Sequence, residues 1–308
     1  MNKIFARPKK FGEILDLTFQ LCKQHFSSLF LILFVFVGPL IVIQAVVQLL
    51  SGRSFVREVA SGESFIEQFI NTYDQSAINM SGAEIGGNLF IGLLQMLFYP
   101  VAVAAIILLV KRVKDQDSYT VKSLIKQAFS RFWPLFWSTV LLSIIFLGIL
   151  FFPLLIVGGI GAIVTIGSPP VGILFILLSF IGVLFGVGLL MSRWSFYLPS
   201  SLFDRIAPGM TKSWQLTQGR SWMTFWLYVT LTIIVAFIGL TVEFLAMFLG
   251  TSVLYHIIVN IVSMFTMLIF FVGYAVMYFD LEVRQSADDL KDMISDYQVD
   301  DNHDETIR

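Results

Sequence analysis

Residues 132 to 192 form an unbroken run of 61 positions without a single Asp, Glu, Lys, Arg or His. As one helix that run would measure roughly 90 Å, about three times the hydrocarbon thickness of a bilayer. It must therefore cross a membrane twice. The sequence places the reversal between Gly158-Gly159 and Gly167-Ser168-Pro169-Pro170, where glycine permits a turn and proline removes donors. Residues 221 to 279 behave the same way, carrying only Glu243 and His256 from that set and turning near Gly250-Thr251-Ser252. Two further apolar runs stand alone, Leu29–Leu50 and Leu89–Val110.

The expectation is an all-α fold, a polytopic membrane helix bundle with six transmembrane spans near 29–50, 89–110, 134–158, 170–191, 225–248 and 254–279. Together these make one membrane domain over residues 1–285. Composition agrees: 57% of residues are hydrophobic and 13% charged, whereas a soluble domain carries about 25% charged residues. With one Cys in 308 residues, a disulfide scaffold or a Cys-rich metal module is excluded.

Charge distribution sets the orientation. Of the 20 Lys and Arg residues, 18 fall in the N-terminal segment, the second and fourth loops and the tail, and only Arg53 and Arg57 lie on the other side. The positive-inside rule puts both termini in the cytoplasm, and an even number of spans requires the same parity. The polar, basic stretch Met1–Ser28 precedes an apolar run long enough to remain as a span, so no cleaved signal peptide is expected. Asn2 stands where N-myristoylation needs glycine. Cys22, on the cytoplasmic side, is expected as a reduced thiol.

Each pair of spans is preceded by a short amphipathic segment: Phe11–Phe26, Tyr119–Trp133 and Gly209–Trp222. In the second, Val121, Leu124, Ile125, Ala128, Phe129 and Phe132 recur at helical spacing, with Lys122, Lys126 and Arg131 elsewhere on the helix. This reads as three copies of an interfacial helix followed by a two-span hairpin. Basic residues beside aromatics at a span's entrance suit the headgroup layer. Lys9, Lys10, Lys111, Arg112, Lys122, Lys126, Arg131, Lys212 and Arg220 are therefore candidate contacts to anionic lipid headgroups. The bilayer is the first expected partner; a membrane or cytoplasmic protein is the second, and nucleic acid is not expected.

The external loop 51–88 carries Glu58, Glu63, Glu67, Asp74 and Glu84 against Arg53 and Arg57. It reads as a solvated connector containing one or two amphipathic helices, a substrate lid being the other reading. The tail from Asp280 has 10 acidic and 3 basic residues. It is expected to begin as a helical continuation and lose regular structure after about Tyr297, leaving 286–308 as an acidic, partly disordered cytoplasmic segment.

Catalytic signatures are missing: there is no His-Glu-x-x-His, P-loop, Gly-x-Ser-x-Gly or Cys-x-x-Cys. No catalytic residue, metal ligand or cofactor is expected. What remains is polarity inside the spans. Glu243 and His256 lie at similar distances from the turn at Gly250, so they would pair across the hairpin, with Asn260 one turn deeper. This intramembrane cluster reads as a hydrogen-bonded clasp or as a proton or cation relay. Gly182-x-x-x-Gly186 reads as internal helix packing.

Three stretches carry a resemblance. The opening Arg7-Pro-x-x-Phe11-Gly-Glu-Ile-Leu-Asp16-x-Thr18-Phe19 resembles the start of the membrane domain attached to some bacterial glycerophosphodiester phosphodiesterases. Ser213-Trp214-x-Leu216-Thr217-x-Gly219-Arg220-x-Trp222 resembles the same family before its fifth span, and Tyr278-Phe279-Asp280-Leu281-Glu282-Val283-Arg284 is similar to its close, with Glu282 where the family has a basic residue. The resemblance implies a six-span bacterial membrane domain whose motifs anchor rather than catalyse. Phosphodiesterase activity is not expected to carry over, because the family's catalytic barrel needs roughly 200 residues and 29 follow Phe279 here.

The functional expectation is a non-enzymatic scaffold or accessory factor in the bacterial cytoplasmic membrane. The alternative is a transport component, a permease subunit or a peptide- or toxin-resistance pump, using Glu243. A lipid-modifying enzyme would have only Glu13, Asp16, His25 and Asp204 as raw material. Reporter fusions inserted in Lys111–Arg131 should read cytoplasmic, as should fusions at both termini; a periplasmic signal from that loop would overturn the topology.

Overall fold

The structure, a computed structural model, describes residues 5, 7–56, 82–203, 208–246, 249–250 and 252–305, with side chains only through Ala287 at the C-terminal end. Among these residues it is mostly helical and contains no strand. The helices in chain order are α1 (Phe11–Gln24), α2 (Phe26–Leu50), α3 (Gly82–Asp115), α4 (Val121–Phe129), α5 (Phe132–Gly167), α6 (Pro169–Trp194), α7 (Tyr197–Phe203), α8 (Met210–Thr217), α9 (Ser221–Ala246) and α10 (Val253–Glu305). Six of them, α2, α3, α5, α6 (with α7), α9 and α10, are long and apolar enough to cross a bilayer.

The three short helices before the hairpins form where the amphipathic pattern places them, as α1, α4 and α8. Each turns its apolar stripe inward: Ile14, Leu17 and Leu21 of α1, Leu124 and Ala128 of α4, Leu216 of α8. Caps fix their starts. Thr120 Oγ1 accepts from the Ser123 amide at 3.3 Å, and Glu13 Oε2 accepts from the Lys10 amide at 3.0 Å, each satisfying an amide that the helix leaves unpaired. α8 begins at Gly209 in the left-handed region, φ +71°, a conformation that costs other L-residues roughly 1–2 kcal/mol.

Burial is uneven. In its most apolar 18-residue stretch α3 is 61% buried, whereas the corresponding stretch of α5 is wholly unburied and that of α6 only 6% buried. The core is built on α3, whose residues Val101 to Val110 are all buried, and on α10, which packs against α1, α2, α3, α8 and α9. Ala102, Ala104 and Ala105 keep α3 slim enough for close neighbours on every side. The α5–α6 hairpin packs on itself and joins the rest through α6 against α9 and through the basic-end half of α5. Here "basic end" means the end of the bundle that carries the N-terminus, α4 and α8, and "far end" the opposite one.

Three sequence expectations change. The reversal of the long apolar run does not spread over Gly158 to Pro170: α5 continues through Gly158, Gly159 and Gly161 to Gly167, and the turn is Ser168 alone. Glycine in hydrocarbon stays helical because no water is present to take its backbone bonds, and Pro169 at the first position of α6 suits a helix start. α10 extends through the acidic tail to Glu305 rather than losing structure near Tyr297; Leu290, Met293, Ile294 and Tyr297 have helical spacing. Gly182 and Gly186 face open space instead of an internal neighbour; of that group only Gly188 meets another helix, at Phe225. The expected helices of the external loop lie, between residues 57 and 81, outside the described residues.

Gly209→Ala tests the local geometry. A Cβ there would sit 2.6 Å from the Tyr197 carbonyl oxygen, in addition to the left-handed φ. The variant should unfold at a lower temperature, with a loss of at least about 1 kcal/mol; an unchanged melting temperature would contradict this backbone path.

Candidate functional site

The far end gathers several of the polar side chains that the spans contain. α2 stops at Gly52, whose φ of +86° turns the chain, and the next residues run along the start of α10. There Val253 and Leu254 donate their amides to the carbonyls of Ser54 and Phe55 at 3.2 and 3.1 Å, and Ser252 Oγ accepts from the Tyr255 amide at 3.2 Å. The otherwise unpaired first-turn donors of α10 are thereby satisfied.

This strap delivers Arg53 into the bundle. Its Nη2 lies 2.7 Å from Glu84 Oε1, and the two side chains are only 16% and 4% exposed. Its Nη1 lies 3.5 Å from His256 Nε2; arginine only donates, so that nitrogen acts as the acceptor. One turn deeper, Asn260 Nδ2 donates to Gln44 Oε1 at 3.1 Å and to the His256 carbonyl at 2.8 Å. Below it, Gln95, Tyr99 and Ser263 help line a cavity of about 20 Å3, room for roughly one water. Tyr99 Oη donates to Met267 Sδ at 3.0 Å. Gln48 Oε1 is buried without a hydrogen-bond partner among the described residues.

Glu243 is not a member of this cluster. It stands on an exposed face of α9 with no hydrogen bond or ion pair among the described residues, so the expected clasp of Glu243 with His256 does not form. His256 and Asn260 do come together, but their partners are Arg53 and Gln44. Sequence reasoning placed Glu84 and Arg53 in a solvated loop. The signal that was present is Gly86-Gly87 one turn beyond Glu84: Gly87 lies where a Cβ would collide with Val47, which marks a close α2–α3 approach.

The basic end carries a second clasp, built from the motifs at the two termini of the domain. Asp280, 5% exposed, accepts from the Lys9 amide at 2.7 Å and from Arg284 Nε at 2.7 Å, and Arg284 also donates to the Lys9 carbonyl. Nearby, Lys114 pairs with Glu282 at 2.8 Å and sits over the Phe279 ring. The third motif works alike. Ser213 Oγ donates to the Arg193 carbonyl at 2.6 Å and accepts from the Phe196 amide at 3.0 Å, and the Arg193 guanidinium stacks on Trp214.

The candidate headgroup residues divide. Lys9 is buried, its ammonium 5.0 Å from the centre of the Phe5 ring, and burial lowers its pKa despite the nearby Asp280; it does not face outward as expected. Lys111 is half-buried over Phe203, and Arg112 pairs with Asp117. Lys10, Lys122, Lys126 and Arg220 are exposed, with Lys122 and Lys126 on the face of α4 opposite its buried stripe, while Arg131 and Lys212 are half-exposed. Glu13 is engaged by the Lys10 amide, which holds its carboxyl below the usual range with help from Arg7. His25 Nδ1 lies 2.8 Å from Tyr119 Oη, and Asp16 is exposed. These side chains are not brought together, and Asp204 lies outside the described residues.

No family model, curated protein or solved structure matches the chain.

Removing the carboxylate charge of Glu84 leaves a largely buried guanidinium without its counter-charge. Glu84→Gln should therefore destabilise the protein by about 3 kcal/mol, and the double variant Arg53→Met/Glu84→Leu should recover most of that loss. Thermal unfolding in detergent reads both; a single variant as stable as the parent would contradict a working far-end pair.

Proposed function

We propose that this integral membrane protein is a non-enzymatic scaffold or accessory factor of a bacterial cytoplasmic membrane, with both termini in the cytoplasm. The observation that carries this reading is the α5–α6 hairpin, two spans whose most apolar stretches the other described residues leave with few buried side chains. Lipid alone would satisfy such a surface, but the open Gly182 and Gly186 on α6 add a small-residue stripe on which another helix packs closely. The resemblance to the phosphodiesterase membrane domain supports the same role, since its motifs are occupied in clasps that tie helices together.

The transport alternative through Glu243 has less behind it. A relay needs a succession of exchangeable groups, and Glu243 has no polar partner among the described residues. The far-end polar groups pair with one another around a space of about 20 Å3, enough for roughly one water.

Photoreactive diazirine residues at Ile144, Ile163 and Leu177, each exposed on the hairpin, test the proposal in native membranes. Discrete protein adducts should form at these positions and weaken when Gly182 and Gly186 are both changed to Leu. Adducts to lipid alone at every position would contradict a scaffold role.

A further inference from the structure

The basic end also holds a groove that neither clasp uses. Phe19, Cys22 and Lys23 of α1, with Phe26 at the start of α2, face Phe265 and Ile269 of α10 across an open space of about 490 Å3, within the ~300–1,000 Å3 of small-ligand sites. Its aromatic walls are half-open: Phe19 and Phe26 are each 41% exposed and Phe265 39%. The floor is firm. Phe265 stacks on Phe26 with ring centres 5.6 Å apart, and Cys22 Sγ donates to the Leu268 carbonyl at 3.9 Å, a separation at which sulfur still bonds. Burial pushes the Cys22 thiol up to about 12, so it presents the groove with a neutral, apolar surface.

Among the described residues, Lys23 is the one charged side chain lining this space. It is exposed, stands in the last turn of α1 and makes no ion pair among the described residues. Its position is set by the chain itself: α2 begins its crossing at Phe26, so Lys23 lies where hydrocarbon gives way to headgroups and the rings lie just beneath it. An apolar trough capped by a single unpaired cation complements an anionic amphiphile, its chain below and its negative charge above.

We propose that this groove binds one anionic phospholipid, with an acyl chain along Phe19, Phe26, Phe265 and Ile269 and the phosphate on Lys23 Nζ. Nothing in this inference depends on the scaffold role; it requires only that the chain is embedded in a bilayer.

The test uses the purified full chain in nanodiscs of phosphatidylcholine with increasing phosphatidylglycerol, released into native mass spectrometry to count retained lipids. The parent should retain one phosphatidylglycerol in preference to phosphatidylcholine. Lys23→Gln, a change at an exposed position, should weaken that retention about five-fold, the effect of one interfacial charge, while Lys23→Arg should keep it. Ile269→Trp, which fills the groove, should lower retention of both lipids, with its melting profile confirming that it folds. Equal retention of the two lipids by the parent, unchanged retention in Lys23→Gln, or displacement of the lipid by millimolar inorganic phosphate would each overturn the proposal. A photoprobe at Ile269 that captures protein and no lipid in native membranes would overturn it as well.

Discussion

An unpaired polar group in hydrocarbon costs several kcal/mol, and that cost organises this molecule. Only helices satisfy their own backbone under such conditions, so the long apolar segments of the described chain are all helices. The polar side chains it keeps inside are concentrated where helices end, because there the backbone too has unmet donors and acceptors. Ser54 and Phe55 serve the first amides of α10, Asp280 serves the Lys9 amide, and Ser213 serves both a carbonyl and an amide at the end of α6.

The two clasps make α10 the member that the rest of the bundle is fastened to. At the far end it holds α2 through Asn260 and, through His256, the Arg53 that pairs with Glu84 of α3; at the basic end it holds the N-terminal segment through Asp280 and Arg284. Between them the contact is apolar and tight, as where Gly273 admits Leu231 of α9. The α5–α6 hairpin is fastened mainly near the basic end, through Ser138 to Ser201 and Thr139 to Tyr197, and projects from there. A bundle secured on one side and open on the other leaves its uncovered faces to lipid or to a partner.

Much of this was legible in the sequence because hydrocarbon allows few alternatives. A 61-residue uncharged run had to become a hairpin, and the amphipathic stretches before each pair of spans had to form helices that turn one face inward. Less legible was anything that depends on how a helix is rotated about its axis. Glu243 and His256 are at similar distances from the Gly250 turn, yet depth alone does not make them face each other; Glu243 points outward from α9. Glu84 was hidden for a different reason. It follows a run of loop-like residues, and Gly86-Gly87 alone hints that α3 begins early enough, at Gly82, to carry it inside. Lys9 misled through its type: a lysine before a span reads as a headgroup ligand, while here its backbone is what Asp280 and Arg284 hold.

The most direct test of the account is the environment of α5 itself. Spin labels placed singly along residues 140–160 of the purified chain in lipid vesicles, with Cys22 replaced, report collision with oxygen and with a water-soluble nickel chelate. The account predicts oxygen access rising and nickel access falling toward the middle of the helix around most of its circumference, with dips only where α6 packs. Nickel reaching the central labels would mean that water solvates this stretch, and the six-span architecture would not survive that result.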